Sequence, residues 1–284
     1  MTGVQTGTLP VPGATIHYKI QGTGPHLLIL QGGDGDADSS DALADQLVAH
    51  YTVATYDRRG LSRSLLDPGT PPPTISTHGD DAHALLAALT TEPALVVGFS
   101  LGALIGLDLA ARYPRQVRTL IAHEPPALQL LSDAERAEVA RVQQGIAETR
   151  LREGEEAAAR LGLALVGIDF TDREPDALVP PPSPPSPRRV ANLAFFQMYD
   201  APAAHRYQLD VAALREAATT IVPAGGRSSR GRHPYRVAEI LADLLGSQVV
   251  EFPGGHNAFI LRPRAFAERV REVLGGAVGS ARLD

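Results

Sequence analysis

The sequence predicts an α/β protein: a mostly parallel sheet flanked by helices and interrupted once by a helical insertion. Two observations carry this. Short apolar runs rich in Val, Ile and Leu alternate with helix-period segments of about a dozen residues, the signature of βαβ units. That rhythm stops near residue 127, gives way to helical patterning, and resumes after residue 214.

The elements follow in order. "TGTLPV" and "ATIHYKI", joined by a Pro-Gly turn, read as an antiparallel hairpin. "HLLIL" (26–30) is a continuous apolar run of the kind buried on both faces of a parallel sheet. "SDALADQLVAH" (40–50) sets Leu43, Leu47 and Val48 on one helical side, and "YTVATYD" (51–57) is the next strand. Residues 77–90 are helical, "ALVVGF" (94–99) is a strand, 101–114 is a helix stopped by Pro114, and "VRTLIAH" (117–123) is a strand. The insertion holds "SDAERAEVARVQQGIAETRLREGEEAAARLGLAL", a proline-rich link "PPPSPPSPRR", and "VANLAFFQMYD". Strand "ATTIVPAGG" (218–226), helix "YRVAEILADLLG", strand "SQVVEF", loop "PGGHNAF" and helix "PRAFAERVREVLG" complete the chain. An insertion bracketed by strands of one sheet is expected to cap one sheet edge. Residues 1–126 and 215–284 would then form the core, and 127–214 the cap.

Composition narrows the function classes. The 284 residues are 44% hydrophobic and 20% charged, ordinary for a globular protein with a sizeable core. A net charge of −6 argues against a nucleic-acid binder, which would carry a basic stripe. The absence of cysteine excludes disulfides, thiolate metal sites and a cysteine nucleophile. No clustered His, Asp and Glu set has ligand-like spacing, so neither a metal nor another cofactor is expected. The first residues lack a signal-peptide pattern, and no apolar run approaches the ~20 residues of a membrane span. A cytoplasmic protein acting on a small molecule is the expectation, with no nucleic-acid or membrane partner and a homodimer left open.

Chemistry enters at "VVGFSLGALIG" (96–106), where Ser100 stands between Gly98 and Gly102. Gly-x-Ser-x-Gly by itself would arise by chance in about one chain in ten of this composition. Its setting between an apolar strand and a helix is more specific. A sharp turn there needs small flanking residues and lifts the hydroxyl above the sheet edge. A serine nucleophile also needs a base, since its hydroxyl is not ionised at neutral pH. Among nine histidines, His256 follows the last strand at the carboxyl edge of the sheet, where Ser100 must also lie. His78 and His83 lie on a helix and read as solvated or packing residues. An oxyanion hole takes two N–H donors, expected from Leu101, immediately after the nucleophile, and from Gly33 in the loop "LQGGDGD".

The ordered set "LLILQGGDGDA", "YDRRGLSRS", "VVGFSLGA", "LIAHEPP", "AGGRSS" and "FPGGHNAF" resembles the α/β-hydrolase superfamily, most of all its actinobacterial-type serine hydrolases with a helical cap. The resemblance covers about residues 5–276 and is weakest in the cap. It implies an α/β-hydrolase fold with an eight-stranded, mostly parallel sheet and the active site beneath the cap. It carries Ser100 as nucleophile, His256 as base, and Leu101 with Gly33 as oxyanion donors. Gln31 replaces the histidine with which many relatives open the oxyanion loop.

A larger departure concerns the triad acid. Relatives place an aspartate just beyond the glycine turn after "TTIVPAGG"; here Ser228 stands in that place. Glu124, in "LIAHEPP", follows the strand after the nucleophile helix, a strand end where some relatives carry the acid, and Pro125 and Pro126 would stiffen its loop. Anchoring the start of the cap is the other role open to Glu124. Asp34 is a further candidate, Asp57 is expected to pin its own turn, and Asp200 and Asp210 are less well placed. Two functions follow. One is a serine hydrolase of an ester, lactone or thioester; the other is a non-hydrolytic or attenuated protein of the same fold, binding a ligand or acting as a lyase or cyclase. Phe195, Phe196, Met198 and Tyr199 either line an apolar substrate pocket or pack the cap on the core. Arg227, Arg230, Arg232, His233 and Arg236 crowd one loop, where they either meet an anionic substrate group or balance nearby acids.

Overall fold

The structure is a computed structural model that describes residues 3–175 and 186–280. The greater part of the proline-rich link lies outside the described residues. One sheet holds nine described strands: β1 Gln5–Val11, β2 Ala14–Gly22, β3 His26–Leu30, β4 Thr52–Tyr56, β5 Leu65–Leu66, β6 Ala94–Phe99, β7 Val117–His123, β8 Thr220–Gly226 and β9 Val250–Phe252. Their spatial order is β1-β2-β4-β3-β6-β7-β8-β9, with β5 paired to β2. The pairs β1–β2 and β2–β4 are antiparallel, and every neighbouring pair from β4 to β9 is parallel.

This is the α/β-hydrolase fold that the motifs imply, with one strand more than expected. The additional strand is β5, whose two residues are too few to show any periodicity. Strands β3, β6 and β7 begin and end where the apolar runs do, because a strand buried on both faces is marked along its whole length.

Helices α1 Asp41–Leu47, α2 Ile75–Leu89 and α3 Leu101–Arg112 connect the first half of the sheet. The side chain of Thr74 accepts from the Thr77 N–H in a capping box, so α2 starts two residues before the apolar pattern suggests. Between β7 and β8 come α4 Asp133–Glu153, α5 Glu155–Val166, α6 Pro187–Phe195, a π-helical turn Phe196–Asp200, α7 Ala201–Arg206 and α8 Val211–Glu216. Helices α9 His233–Leu244, α10 Ala258–Leu261 and α11 Pro263–Ser280 follow. Among the described residues no helix is long and apolar enough to cross a membrane.

Strand alternation divides the core into two layers. Leu28 and Leu30 of β3 join Ala94 and Val96 of β6 beneath α2, α3 and α9. Leu27 and Ile29 join Leu95, Val97 and Phe99 beneath α1 and α11. Burying such side chains on both sides of β6 is worth about 1.5–3 kcal/mol each, which holds the central strands rigid. Because β3, β6, β7, β8 and β9 run parallel, the loops after them gather at one edge of the sheet. That edge holds the candidate site.

Candidate active site

Ser100 joins β6 to α3 with φ 49° and ψ −118°. A non-glycine residue there costs on the order of 1–3 kcal/mol and persists only where surroundings enforce it. The enforcement is visible. The Ser100 N–H donates to the His123 carbonyl at 2.9 Å, and the Ser100 carbonyl accepts from the Ala103 N–H at 2.9 Å. A Cβ on Gly98 would lie 2.6 Å from the Gly102 carbonyl oxygen, and one on Gly102 would collide with the Leu30 carbonyl. Both glycines of the motif are therefore required by close approach of strand, helix and the β3 loop.

Glu124 is the next strained position, at φ 50° immediately after β7. Of the three described non-glycine residues with left-handed φ, Ser100 and Glu124 are two; Ser62 is the other. The Glu124 N–H extends the sheet ladder to the Ala224 carbonyl at 2.9 Å. Its side chain is fully buried. Oε1 accepts from the Gly226 N–H at 2.8 Å, and Oε2 accepts from His256 Nδ1 at 2.6 Å. Burial opposes ionisation of Glu124, but the bond from His256, the fields of His123 and His256 and the Gly226 N–H outweigh it. The carboxyl is held at a pKa of about 2. With Nδ1 of His256 committed to this carboxylate, Nε2 is the nitrogen left for proton transfer.

Leu101 opens α3, so its N–H is among the first-turn donors that the helix leaves unpaired. Gly33 lies in the loop after β3. A Cβ on its neighbour Gly32 would sit 3.6 Å from both the Phe99 carbonyl oxygen and Ser100 Cβ, so this loop borders Ser100.

The other acid candidates are engaged elsewhere. Asp34 accepts from Ser39 Oγ at 3.4 Å, and burial pushes its carboxyl up. Asp57 holds its own turn through the Arg63 N–H at 2.9 Å and the Ala37 N–H at 2.8 Å. Asp210 caps α8 through the Ala213 N–H. Ser228 is exposed, and its hydroxyl donates to Asp172 at 3.0 Å. Asp172 in turn is paired with Arg262.

The aromatic stretch divides. The Phe196 ring packs over Gly33, where a Cβ would lie 3.2 Å from it. Phe195 packs over Gly60 and against Tyr199, ring centroids 4.8 Å apart, while Met198 is 64% exposed. None of the four lines the cavity of about 330 Å³ beside His256, which is bounded by Ala164, Ile168, Ser228, Arg232 and Leu261 among others. In the basic loop, Arg230 pairs with Glu251, and Arg236 with Glu135 and Glu239. Arg232 instead donates to the Ala164 carbonyl at that cavity. Burial and the neighbouring His256 bring His233 down to about 4.

One residue, Arg58, and its link to Asp200 and His78 escape the sequence reading. Arg58 is 2% exposed, and its guanidinium reaches the Gly32 carbonyl at 2.7 Å, the Gly33 carbonyl at 2.9 Å and Asp200 at 2.7 Å. Asp200 also meets His78 Nε2 at 3.1 Å, so of the two roles read for His78 the packing one holds: it is fully buried and hydrogen-bonded. The only sequence signal for this trio is an arginine inside the "YDRRG" turn.

A family model described as alpha/beta hydrolase fold matches residues 25–263. The chain belongs to the α/β-hydrolase family. It is 40% identical over 275 residues to the uncharacterized hydrolase YraK of Bacillus subtilis, covering 95% of this chain and 96% of that protein. The crystal structure of a hydrolase from Pseudomonas aeruginosa is 24% identical with a TM-score of 0.64, covering 95% of this chain and 98% of its own. The enol-lactonase of Burkholderia xenovorans is 22% identical with a TM-score of 0.63, covering 95% and 100%. The chain is a hydrolase enzyme of this family, and the two structural likenesses speak for its fold.

Proposed function

We propose that this hydrolase cleaves a carboxylic ester, lactone or thioester of a small molecule through an acyl-enzyme on Ser100. The 2.6 Å bond between His256 Nδ1 and the buried Glu124 carboxylate carries the reading. It supplies the charge that stabilises an imidazolium, which a hydroxyl at position 228 would not. Removing that charge in a serine triad costs about 10⁴-fold in kcat.

In this scheme Ser100 Oγ attacks the carbonyl carbon while His256 Nε2 takes its proton. Charge collects on the carbonyl oxygen, which the N–H groups of Leu101 and Gly33 receive. Collapse of the tetrahedral intermediate expels the alcohol or thiol, protonated by His256. Water then attacks the acyl-enzyme with His256 again as base, releasing the acid and restoring Ser100. The attenuated reading draws on Ser228, and the engagement of Glu124 with His256 weighs against it.

The direct test is Ser100→Ala. Turnover of p-nitrophenyl butyrate and labelling by a fluorophosphonate probe should both vanish, with the melting temperature within a few degrees of the parent. Undiminished turnover in that variant would remove Ser100 from the mechanism.

A further inference from the structure

The loop that offers the Gly33 N–H reads "QGGDGD". Two adjacent glycines leave its backbone free to rotate, so a fixed donor there must be held from outside. Within the loop the Gly35 N–H reaches the Gly32 carbonyl at 3.2 Å. The stronger hold is Arg58, whose Nη1 and Nη2 donate to the consecutive carbonyls of Gly32 and Gly33. Charge-assisted bonds of this kind are roughly twice as strong as neutral ones.

Geometry converts that hold into an orientation. A peptide group is planar and trans, so the N–H of Gly33 is directed opposite to the carbonyl of Gly32. Drawing the Gly32 oxygen toward Arg58 therefore points the Gly33 N–H away from Arg58, on the opposite side of the peptide bond. The same peptide borders Ser100, as the 3.6 Å approach at Gly32 shows.

Arg58 is itself held. Its Nε and Nη2 both donate to Asp200 Oδ2, at 3.0 and 2.7 Å, and Asp200 is fully buried with its second oxygen on His78. Asp200 ends the π-helical turn that also carries Phe196 onto Gly33. A tie between helical segment and core would need only the ion pair; here the guanidinium also engages two successive loop carbonyls.

We propose that Arg58, fixed by Asp200, is a positioning residue for the oxyanion donor at Gly33, and that the helical segment between β7 and β8 sets the hole through Asp200. This rests on the acyl-enzyme reading above. Lysine at position 58 would keep the charge but lose the planar fork that reaches two carbonyls and a carboxylate together.

The test uses Arg58→Lys and the double variant Arg58→Met/Asp200→Leu, which replaces the buried pair with apolar groups of similar size and so tends to preserve folding. Three readouts are compared with the parent: kcat and KM for p-nitrophenyl butyrate, affinity for an alkyl trifluoromethyl ketone that adds to Ser100 as a tetrahedral oxyanion, and affinity for the matching methyl ketone. Folded variants should lose at least tenfold in kcat and in trifluoromethyl ketone affinity, with KM and methyl ketone affinity changed less than threefold. A folded variant that binds the trifluoromethyl ketone within twofold of the parent overturns the positioning role. Failure of the underlying reading looks different, because Ser100→Ala would then keep its turnover.

Discussion

Strands β7 and β8 lie side by side and end at the same edge, yet their ends are built in opposite ways. At the end of β7, His123 and Glu124 are fully buried, and Glu124 is held at a left-handed φ by the ladder bond to Ala224. At the end of β8, Arg227 and Ser228 are exposed, and Ser228 turns to Asp172 and the paired Arg262. The enclosed end carries the carboxylate that meets His256. A carboxylate stabilises an imidazolium more strongly away from water, where the effective dielectric is low and the geometry is fixed.

The comparison breaks most sharply at Glu124. Glu124→Gln keeps the shape but removes the charge, and kcat for p-nitrophenyl butyrate should fall by about 10²–10⁴-fold, the range set by loss of the triad charge. Steady-state kinetics beside a thermal melt checks this. A loss below tenfold would return the acid role to another carboxylate.

Acid stability probes the same strand end. Burial lowers the pKa of His123 to about 4, and neither ring nitrogen has a hydrogen-bond partner among the described residues. The ring lies instead among Phe99, Phe252 and Phe266. A histidine kept neutral when folded loses stability as pH falls from its unfolded value near 6.5 toward 4, because only the unfolded chain takes the proton there. The loss is on the order of 3 kcal/mol. His123→Leu should therefore gain stability over the parent chiefly between pH 6.5 and 4. Glu124 acts lower. Its folded pKa is depressed, so its contribution is present above about 4.3 and disappears as pH falls toward 2. Glu124→Gln should flatten only that lower window. Denaturant melts across pH separate the two, and a His123→Leu difference independent of pH would sink the first.

The smallest effect is expected at β8. Ser228→Asp alone should change kcat by less than threefold, because His256 Nδ1 is already occupied. In the Glu124→Gln background the same change tests whether the exposed turn can host an acid at all; a return of less than tenfold is expected. Full recovery would mean that burial at β7 is dispensable.

Legibility in the sequence followed the range of the interaction. Ser100 was readable because strand, turn and helix are contiguous and the glycines flank it. His256 was readable because it follows the last strand. Glu124 stood as one candidate beside Asp34, since the distance from its carboxylate to His256 spans 132 positions of chain. The pairing of Arg58 with Asp200, 142 positions apart, left no pattern in the sequence. The aromatic stretch was seen, but not that Phe196 would press on Gly33 while Met198 stayed exposed.

The sequence by itself determined the alternation of strands and helices, the parallel order that gathers carboxyl ends at one edge, and the strand-to-helix turn at Ser100. These depend on residue periodicity and on local backbone sterics, which neighbouring residues encode. Only the tertiary structure decided which carboxylate meets His256 and that Arg58 grips the Gly32 and Gly33 carbonyls. Those contacts depend on the register of β7 between β6 and β8, and on the helical segment folding back to place Asp200 against the core. Register and docking are set by burial summed over the whole sheet, so no single stretch of chain records them.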